Sequence, residues 1–297
     1  MPSVILIHNA SAGDELLSAD ELRLKITAVS GLPCTVITQN EMDDHAFLPE
    51  EHQLVIAGGD GTVRRVVQHL REKYPAAFFP LLILPMGTAN NIARALSLPK
   101  DPNVLLDRWD YLRLVSFDTG MLDTRPPGNF FLESCGFGIF PEVMHSMKHV
   151  PKDKTEDAEG KKEKGLLVMD EIVRRLEPFA VQVTLDGKDH SGKYLMVEVL
   201  NTPSFGSNVM LSPEATVFDG ELELLLLSEE HRDMLGAYLH HKLSGRDPGQ
   251  LFETFMGKSV TITADAPIMH IDDELINIDR GTAITANLSE GLFQFYV

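Results

Sequence analysis

Short apolar runs alternate with segments of helical pattern in the first third of the chain, and this alternation restricts the fold more than any other feature. The apolar runs cover residues 4–7, 34–37, 54–57 and 81–84, and the helical patterns cover residues 15–29, 63–70 and 91–96. Strands that alternate with helices pair in parallel, because each helix returns the chain to the same end of the sheet. Continuous apolar runs also suit strands that are covered on both faces. The sequence therefore predicts a parallel-sheet α/β domain over residues 1–120.

The pattern changes at about residue 118 to longer alternating runs separated by turn residues. The clearest runs cover residues 181–185, 194–200, 221–227 and 260–263. A period of two with intervening turns is typical of antiparallel strands. We therefore predict an antiparallel β domain over residues 121–297, with a C-terminal tail that can pack back on the first domain.

Charge and cysteine content narrow the classes of function. The 297 residues include 26 Lys and Arg against 44 Asp and Glu, and the formal net charge of −18 repels a nucleic-acid backbone. The two cysteines, Cys34 and Cys135, have no metal-like spacing and suit a reducing cytoplasm. No apolar run approaches the roughly 18 residues of a spanning helix. We therefore expect a cytoplasmic protein whose membrane contact is peripheral, at the inner face, and no nucleic-acid partner.

The strongest chemical motif follows the third apolar run and precedes a helical pattern. It consists of Gly58, Gly59, Asp60, Gly61 and Thr62. Glycines let backbone N–H groups approach phosphate oxygens, and the N-terminus of the next helix adds a favourable partial charge. Asp60 repels phosphate, so it would act through Mg²⁺ or orient an attacking hydroxyl. The alternative is a tight turn in which Thr62 caps the next helix.

Two further loops follow predicted strands at the same edge of the sheet, where open α/β sheets bind ligands. The loop after the fourth run contains Gly87, Thr88 and Asn90, with ordinary N-capping and an exposed Asn91 as the alternative. The loop after the first run begins at Asn9. The usual dinucleotide and P-loop fingerprints are both missing from the sequence, which disfavours Rossmann dehydrogenases and P-loop nucleotidases.

Together these motifs resemble those of the diacylglycerol kinase catalytic family, the bacterial lipid kinases related to sphingosine kinases within the NAD kinase-like superfamily. The glycine turn at residues 58–62 is shared with NAD kinases, whereas the helix start at residues 87–90 is typical of the lipid-kinase branch. The resemblance continues through residues 134–138, 201–203, 212–215 and 219–222. It implies a nucleotide-binding α/β domain followed by a β-sandwich domain for the substrate.

The resemblance also implies roles for matching residues. Glu274 would be the general base that accepts the proton of a lipid hydroxyl, helped by Asp60, as the hydroxyl attacks the γ-phosphate of ATP. Asp219 would hold a structural Mg²⁺ together with the backbone carbonyls of Thr216 and Glu221, with a hairpin turn as the alternative. ATP would contact Asn9, Ala10, Ser11, Ala12, Gly13, Thr38, Gly58, Gly59, Asp60, Gly61, Thr62, Val63, Arg64, Arg65, Gly87, Thr88 and Asn90.

Three departures from the family's pattern bear on activity. Asp273 stands where the family usually has a glycine before the general base, at a turn position that can require a positive φ. Arg64 and Arg65 stand where the family prefers Asn-Glu, and they either neutralise phosphate charge or extend into solvent from the first turn of a helix. Residues 204–208 keep one glycine of a usually glycine-rich run.

Three functions remain open at this point. The first is an ATP- and Mg²⁺-dependent lipid kinase with a diacylglycerol-like acceptor, and the second is a catalytically weakened nucleotide- or lipid-binding protein. The third is an NAD kinase-like enzyme, a family that relies on an Asn-Glu pair for the nicotinamide ribose. An exposed sheet edge offers a route to a homodimer. Transient membrane contact would use the lysines of one mixed-charge region, Lys148, Lys152, Lys154, Lys161, Lys162 and Lys164.

Overall fold

The computed structural model describes residues 1–9, 17–124, 129–150, 157–207, 209–246 and 252–297. Its contacts divide the chain into a first unit, Met1–Phe117 with Gly291–Val297, and a second unit, Asp118–Glu290. The α-helices are α1 (Ala19–Ser30), α2 (Asp60–Lys73), α3 (Asn91–Ala95), α4 (Pro102–Leu106), α5 (Ile139–His149), α6 (Ala158–Arg175) and α7 (Arg232–Leu243).

The strands fall into two groups along the chain. Those up to residue 138 are β1 (Ser3–His8), β2 (Cys34–Thr38), β3 (His52–Gly58), β4 (Pro80–Pro85), β5 (Leu114–Leu122), β6 (Phe130–Phe131) and β7 (Ser134–Gly138). The later ones are β8 (Phe179–Leu185), β9 (Lys188–Asp189), β10 (Gly192–Tyr194), β11 (Met196–Leu200), β12 (Ser204–Phe205), β13 (Val209–Met210), β14 (Leu222–Leu227), β15 (Thr254–Gly257), β16 (Ser259–Ala264), β17 (Ile268–Ile271), β18 (Glu274–Asn277) and β19 (Ala283–Tyr296).

A parallel sheet forms the core of the first unit. Its strand order is β2-β1-β3-β4, and the last residues of β19 pair in parallel with β4 through Gln294 and Phe295. The interiors of β1 and β4 are buried throughout, which explains their unbroken apolar sequences. Helix α1 begins at a capping box between Ser18 and Glu21 and ends at Gly31, whose φ of +66° suits a glycine. The predicted parallel α/β architecture is confirmed.

Two antiparallel sheets share one apolar core in the second unit. One sheet has the order β15-β14-β11-β7-β17-β18, and the other contains β10, β8, β16 and the first residues of β19. Alternate residues of both sheets point into this core, as the period of two requires. Examples are Phe137 and Val197 from the first sheet and Val183 and Ile262 from the second. The predicted antiparallel β-sandwich is confirmed.

Helices α5, α6 and α7 contribute to a second apolar cluster with the opposite face of the six-stranded sheet. Leu166 and Met169 of α6 and Leu235 of α7 are buried there with Met196 and Leu200 of β11. The mixed-charge residues from 157 onward form the N-terminal turns of α6, and Lys152 and Lys154 lie outside the described residues. Within the described part of the chain, we find no helix with the length and apolar character needed to cross a membrane.

Candidate active site

The glycine loops after β3 and β4 lie backbone to backbone in the first unit. A Cβ atom on Gly87 would be 2.3 Å from the Cα of Gly59, and one on Gly59 would be 2.9 Å from the Cα of Gly87. The N–H of Met86 donates to the carbonyl of Gly58 at 3.0 Å. Side chains cannot enter this contact, so glycine is required on both loops. The two loops therefore form one surface at the starts of α2 and α3.

Asp60 is the first residue of α2, which begins three residues earlier than a Thr62 cap would place it. Gly59 occupies the N-cap position in an extended conformation. The Asp60 carboxylate accepts the N–H groups of Asn91 at 3.0 Å and Ile92 at 2.9 Å. These are the first residues of α3, whose N–H groups have no partner within the helix. One carboxylate thus ties the two helix starts together.

The polar side chains of the loops mainly fix other loop atoms. Asn9 donates through Nδ2 to the Oγ1 of Thr62 at 2.9 Å, so Thr62 is a buried link rather than a helix cap. Asn90 has a φ of +53°, and its amide side chain forms two 2.8 Å hydrogen bonds with the backbone of Gly87. Asn91 is only 2% exposed, so the alternative with an exposed Asn91 is wrong.

The remaining predicted ATP contacts have different environments. Arg64 is 6% exposed, so extension into solvent is wrong for it, whereas Arg65 is exposed and donates to the Oδ1 of Asn40 at 3.4 Å. Thr38 donates through its N–H and its hydroxyl to Glu41, and these bonds lower the pKa of that carboxyl. Val63 is buried, while Gly61 and Thr88 are partly exposed. Ala10, Ser11, Ala12 and Gly13 lie outside the described residues.

The turn between β17 and β18 carries Glu274 in the second unit. The residue with a positive φ is Asp272, at +49°, so the expectation of a positive φ at Asp273 is wrong. The Asp272 carboxylate is 2% exposed and accepts backbone N–H groups from three consecutive residues, Leu132, Glu133 and Ser134. Glu274 pairs with Ile271 across the turn and is exposed. A buried carboxylate therefore fixes a turn whose neighbouring glutamate meets solvent.

Two buried residues that the sequence reasoning missed adjoin this turn. His270 Nε2 lies 2.6 Å from the Oε1 of Glu198, and His270 Nδ1 lies 2.9 Å from the carbonyl oxygen of Asp272. Both side chains are 0% exposed. Burial lowers the pKa of His270, but the charge and hydrogen bond of Glu198, with Asp272, outweigh it and raise that pKa above its ordinary value. In the sequence, the pair is visible only as one ionisable residue inside each of two apolar strands.

The loop before β14 contains the predicted magnesium ligands. Asp219 accepts the N–H of Glu221 at 3.1 Å, and Thr216 accepts the N–H of Phe218 at the same distance. Gly220, at a φ of +72°, donates to the Oδ2 of Asp118 at 2.9 Å. The hairpin alternative is wrong, because β14 pairs with β11 and β15 and not with the strand before the loop. A carboxylate with backbone carbonyls is an oxygen donor set that fits a hard cation.

Elsewhere in the described part of the chain, acidic and histidine side chains form no candidate metal centre. Among the residues that the structure describes, no three His, Cys, Asp or Glu side chains lie close enough together to hold a metal ion. A magnesium site in this loop would therefore depend on Asp219 and on backbone oxygens.

Two family models match the chain in succession. The diacylglycerol kinase catalytic domain matches residues 3–122, and the YegS C-terminal NAD kinase beta sandwich-like domain matches residues 156–278. The first matched segment covers most of the first unit and ends at residue 122, and the second lies within the second unit.

Curated relatives carry similar descriptions. A diacylglycerol kinase of Bacillus subtilis is 30% identical over 62% of this chain, and the match spans 57% of the length of that relative. A diacylglycerol kinase of Staphylococcus carnosus is 26% identical, with 87% of this chain and 84% of the relative covered. A probable YegS-like lipid kinase of Pseudomonas aeruginosa is 29% identical, with 78% and 74% covered.

Solved structures agree with the fold. A crystal structure of a putative diacylglycerol kinase from Bacillus anthracis has a TM-score of 0.71 at 20% identity, covering 99% of this chain and 96% of that one. A likeness at this level of identity concerns the fold and leaves the chemistry to the residues described above.

Proposed function

The chain belongs to the diacylglycerol kinase catalytic-domain family, and on that premise we propose that it transfers the γ-phosphate of ATP to the hydroxyl group of a diacylglycerol-like lipid with Mg²⁺ as cofactor. The observation that carries the proposal is the backbone contact between Gly59 and Gly87, which brings two helix starts to one surface. Backbone N–H groups at helix starts favour the negative charge of a polyphosphate.

ATP is proposed to bind along these loops. The direct contacts would be backbone groups of the residues from Gly58 to Val63 and of Gly87, Thr88 and Asn90, together with Asn9, Thr38, Arg64, Arg65 and residues 10–13. Arg65 is exposed on the second turn of α2, where a guanidinium can neutralise phosphate charge. Asp60 would keep α3 aligned with α2 through its bonds to Asn91 and Ile92, and would assist orientation of the attacking hydroxyl.

Glu274 is the proposed general base of the reaction. It would accept the proton of the lipid hydroxyl as the oxygen attacks the γ-phosphate, and its exposure leaves it accessible to an acceptor. Mg²⁺ would supply charge neutralisation, held by Asp219 with the carbonyls of Thr216 and Glu221. General-base assistance typically contributes about 10²–10⁴-fold to the rate.

A lipid acceptor requires at least transient contact with a membrane. Lys161 and Lys162 lie on the first turns of α6, and each lysine at an anionic surface contributes about 1 kcal/mol. Strand β15 is an edge strand with Phe255 and Met256 exposed, which supports a homodimer formed through that edge.

The test is transfer of labelled γ-phosphate from ATP to a panel of lipid hydroxyl acceptors and to NAD, with and without Mg²⁺. We expect a labelled lipid with the wild-type chain and none with Asp60→Ala. Glu274→Gln should slow transfer by about 10²–10⁴-fold and leave ATP binding intact. Glu253→Gln, which changes another exposed glutamate of the second unit, is the matched control.

Three outcomes would contradict parts of the proposal. Full activity of Glu274→Gln would exclude Glu274 as the base. ATP binding without any labelled acceptor would favour a binding protein that does not catalyse transfer. Label in NAD alone would favour an NAD kinase-like enzyme.

A further inference from the structure

Three adjacent strands of the six-stranded sheet place Glu198, Gly136 and His270 in one row. Glu198 on β11 is paired with Gly136 on β7, and Gly136 is paired with His270 on β17. Residues that pair across neighbouring strands project to the same face, so the two ionisable side chains meet above the glycine. A Cβ on Gly136 would lie 2.1 Å from the Oε2 of Glu198 and 2.4 Å from the carbonyl oxygen of Val197. Only glycine leaves room for this contact.

The surroundings of the pair are apolar. The imidazole of His270 lies against the rings of Phe205 and Phe140, with centroid distances of 4.6 and 5.9 Å. The Oε2 of Glu198 has no hydrogen-bond partner among the described residues. A buried ion pair is often no more stabilising than well-packed apolar side chains of the same volume. Stability alone therefore does not account for the presence of Glu198 and His270.

The hydrogen bonds of His270 determine where its protons lie. The carbonyl of Asp272 can only accept, so Nδ1 of His270 must carry a hydrogen. A second proton must then lie between Nε2 and the Oε1 of Glu198, on either the imidazole or the carboxyl group, because these atoms are 2.6 Å apart. In both forms Glu198 holds the ring so that its Nδ1–H points at the Asp272 carbonyl.

We propose that Glu198 and His270 are positioning residues that hold the Asp272 turn and thereby orient Glu274. Asp272 is kept at its positive φ from two sides, by His270 on its carbonyl and by the N–H groups of residues 132–134 on its carboxylate. Glu274 follows two residues later at the start of β18. The inference rests on the proposed function, because Glu198 and His270 would influence catalysis only through Glu274, the proposed general base.

The first experiment removes the polar link and keeps the packing. In the double variant Glu198→Leu/His270→Phe, apolar side chains of similar size replace both members, so no charge stays buried without a partner. We expect wild-type folding by circular dichroism and an unchanged KM for ATP. We expect kcat to fall by about 10- to 100-fold, the range for a reacting group displaced by up to about 1 Å.

Glu198→Gln is the conservative variant that should restore the rate. Its amide can donate to a neutral Nε2 while Nδ1–H remains on the Asp272 carbonyl, so both hydrogen bonds survive. We expect a kcat close to that of the wild type. If the apolar double variant does not fold, Glu198→Gln/His270→Phe removes the bond to Asp272 without burying a charge, and the same measurements apply.

Amide hydrogen exchange tests the inference without relying on catalysis. The N–H groups of Leu132, Glu133 and Ser134 should exchange faster in the double variant, because the turn that carries their acceptor is no longer held, and should stay protected in Glu198→Gln. Wild-type kcat with wild-type protection in the double variant would overturn the inference. A wild-type chain that labels no lipid would refute the proposed function, while exchange at these three amides would still decide whether the pair holds the turn.

Discussion

The two polar regions of this chain are built in opposite ways. In the first unit, the loops after β3 and β4 touch through the backbone of Gly59 and Gly87, and side chains are kept out of that contact. In the second unit, the turn at Asp272 depends on buried side chains, with Glu198 and His270 fully enclosed. A surface for phosphate needs accessible N–H groups, whereas a general base needs a fixed direction. The difference between the regions is the one that the two proposed roles, phosphate binding and proton transfer, would require.

In both regions, however, a carboxylate accepts backbone N–H groups from residues that are distant in sequence. Asp60 accepts the N–H groups of two residues that follow it by 31 and 32 positions, and Asp272 accepts those of three residues about 140 positions before it. Asp60 is partly buried, while Asp272 is almost completely buried. We therefore expect substitution of Asp272 to lower stability more than substitution of Asp60 does, and substitution of Asp60 to lower phosphate transfer more than its change in stability explains.

The largest expected effect is that of Asp272→Asn on the free energy of unfolding. An amide has one acceptor oxygen, and its NH₂ group would face backbone N–H donors that are buried. Hydrogen bonds to buried charged groups contribute about 1.5–3 kcal/mol each, so we expect a loss of about 3–5 kcal/mol in urea unfolding followed by circular dichroism. Asp279→Asn, in the exposed loop after β18, should change stability by less than about 0.5 kcal/mol. Equal stability of the two variants would remove the distinction between the regions.

Gly87→Ala tests whether the first region depends on backbone contact. The added Cβ would meet the Cα of Gly59 at 2.3 Å and the Oδ1 of Asn90 at 2.8 Å, so the loops must separate. Forcing an extra methyl group into such a contact costs about 1–3 kcal/mol, and we expect the Kd for ATP to rise by about 10- to 100-fold in calorimetry. Gly236→Ala is the control, because a Cβ there has open space within α7. Unchanged ATP affinity in Gly87→Ala would show that the loops do not hold the nucleotide.

Asp60→Asn should lower the rate of phosphate transfer much more than it lowers the free energy of unfolding. The amide keeps one oxygen for the N–H groups at the start of α3, and the site is only partly buried, so we expect a loss of about 1 kcal/mol in unfolding. Phosphate transfer should fall far more than this change in stability explains. A variant that lost as much stability as Asp272→Asn would mean that the two carboxylates have the same role.

Sequence reasoning was sufficient where the pattern is local. The predicted strand at residues 34–37 differs from β2 by one residue at one end, and the one at 81–84 differs from β4 by one residue at each end, since buried parallel strands are continuous apolar runs. The start of α2 was misplaced, because a threonine is an ordinary cap and the extended Gly59 gave no side-chain signal. The long strand β19 was not predicted, because Gly291 interrupts its alternation.

The candidate site was recoverable from sequence only as far as its motifs extend. The glycines of the two loops are visible as motifs, but their mutual contact depends on the pairing of β3 with β4. Glu198 and His270 are 72 positions apart, and their meeting depends on the register of β11, β7 and β17. The sequence around each residue does not indicate which residue it contacts, so the pair could not be predicted from a single sequence.

The smallest expected effect is a pH dependence of unfolding with opposite signs in the two units. The raised pKa of His270 means that its stabilisation is complete below its ordinary value of 6.5 and is lost as the pH rises from 6.5 through the raised value. Each unit of that increase contributes about 1.4 kcal/mol. His52 and His69 of the first unit have pKa values lowered by burial, so they destabilise that unit only as the pH falls below 6.5.

The variant Glu198→Gln tests whether the proton shared by Glu198 and His270 causes the pH dependence of unfolding in the second unit. Both hydrogen bonds of His270 survive in the variant, but a neutral imidazole satisfies them, so folding no longer takes up a proton above pH 6.5. Unfolding should be measured from pH 6.5 to below 9.0, the ordinary thiol value, so that neither cysteine contributes. The wild-type chain should lose stability across this window, and the variant should lose much less. If the free energy of unfolding fell as steeply with pH in Glu198→Gln, another group would be responsible for the pH dependence. The two regions would then differ only in how deeply their side chains are buried.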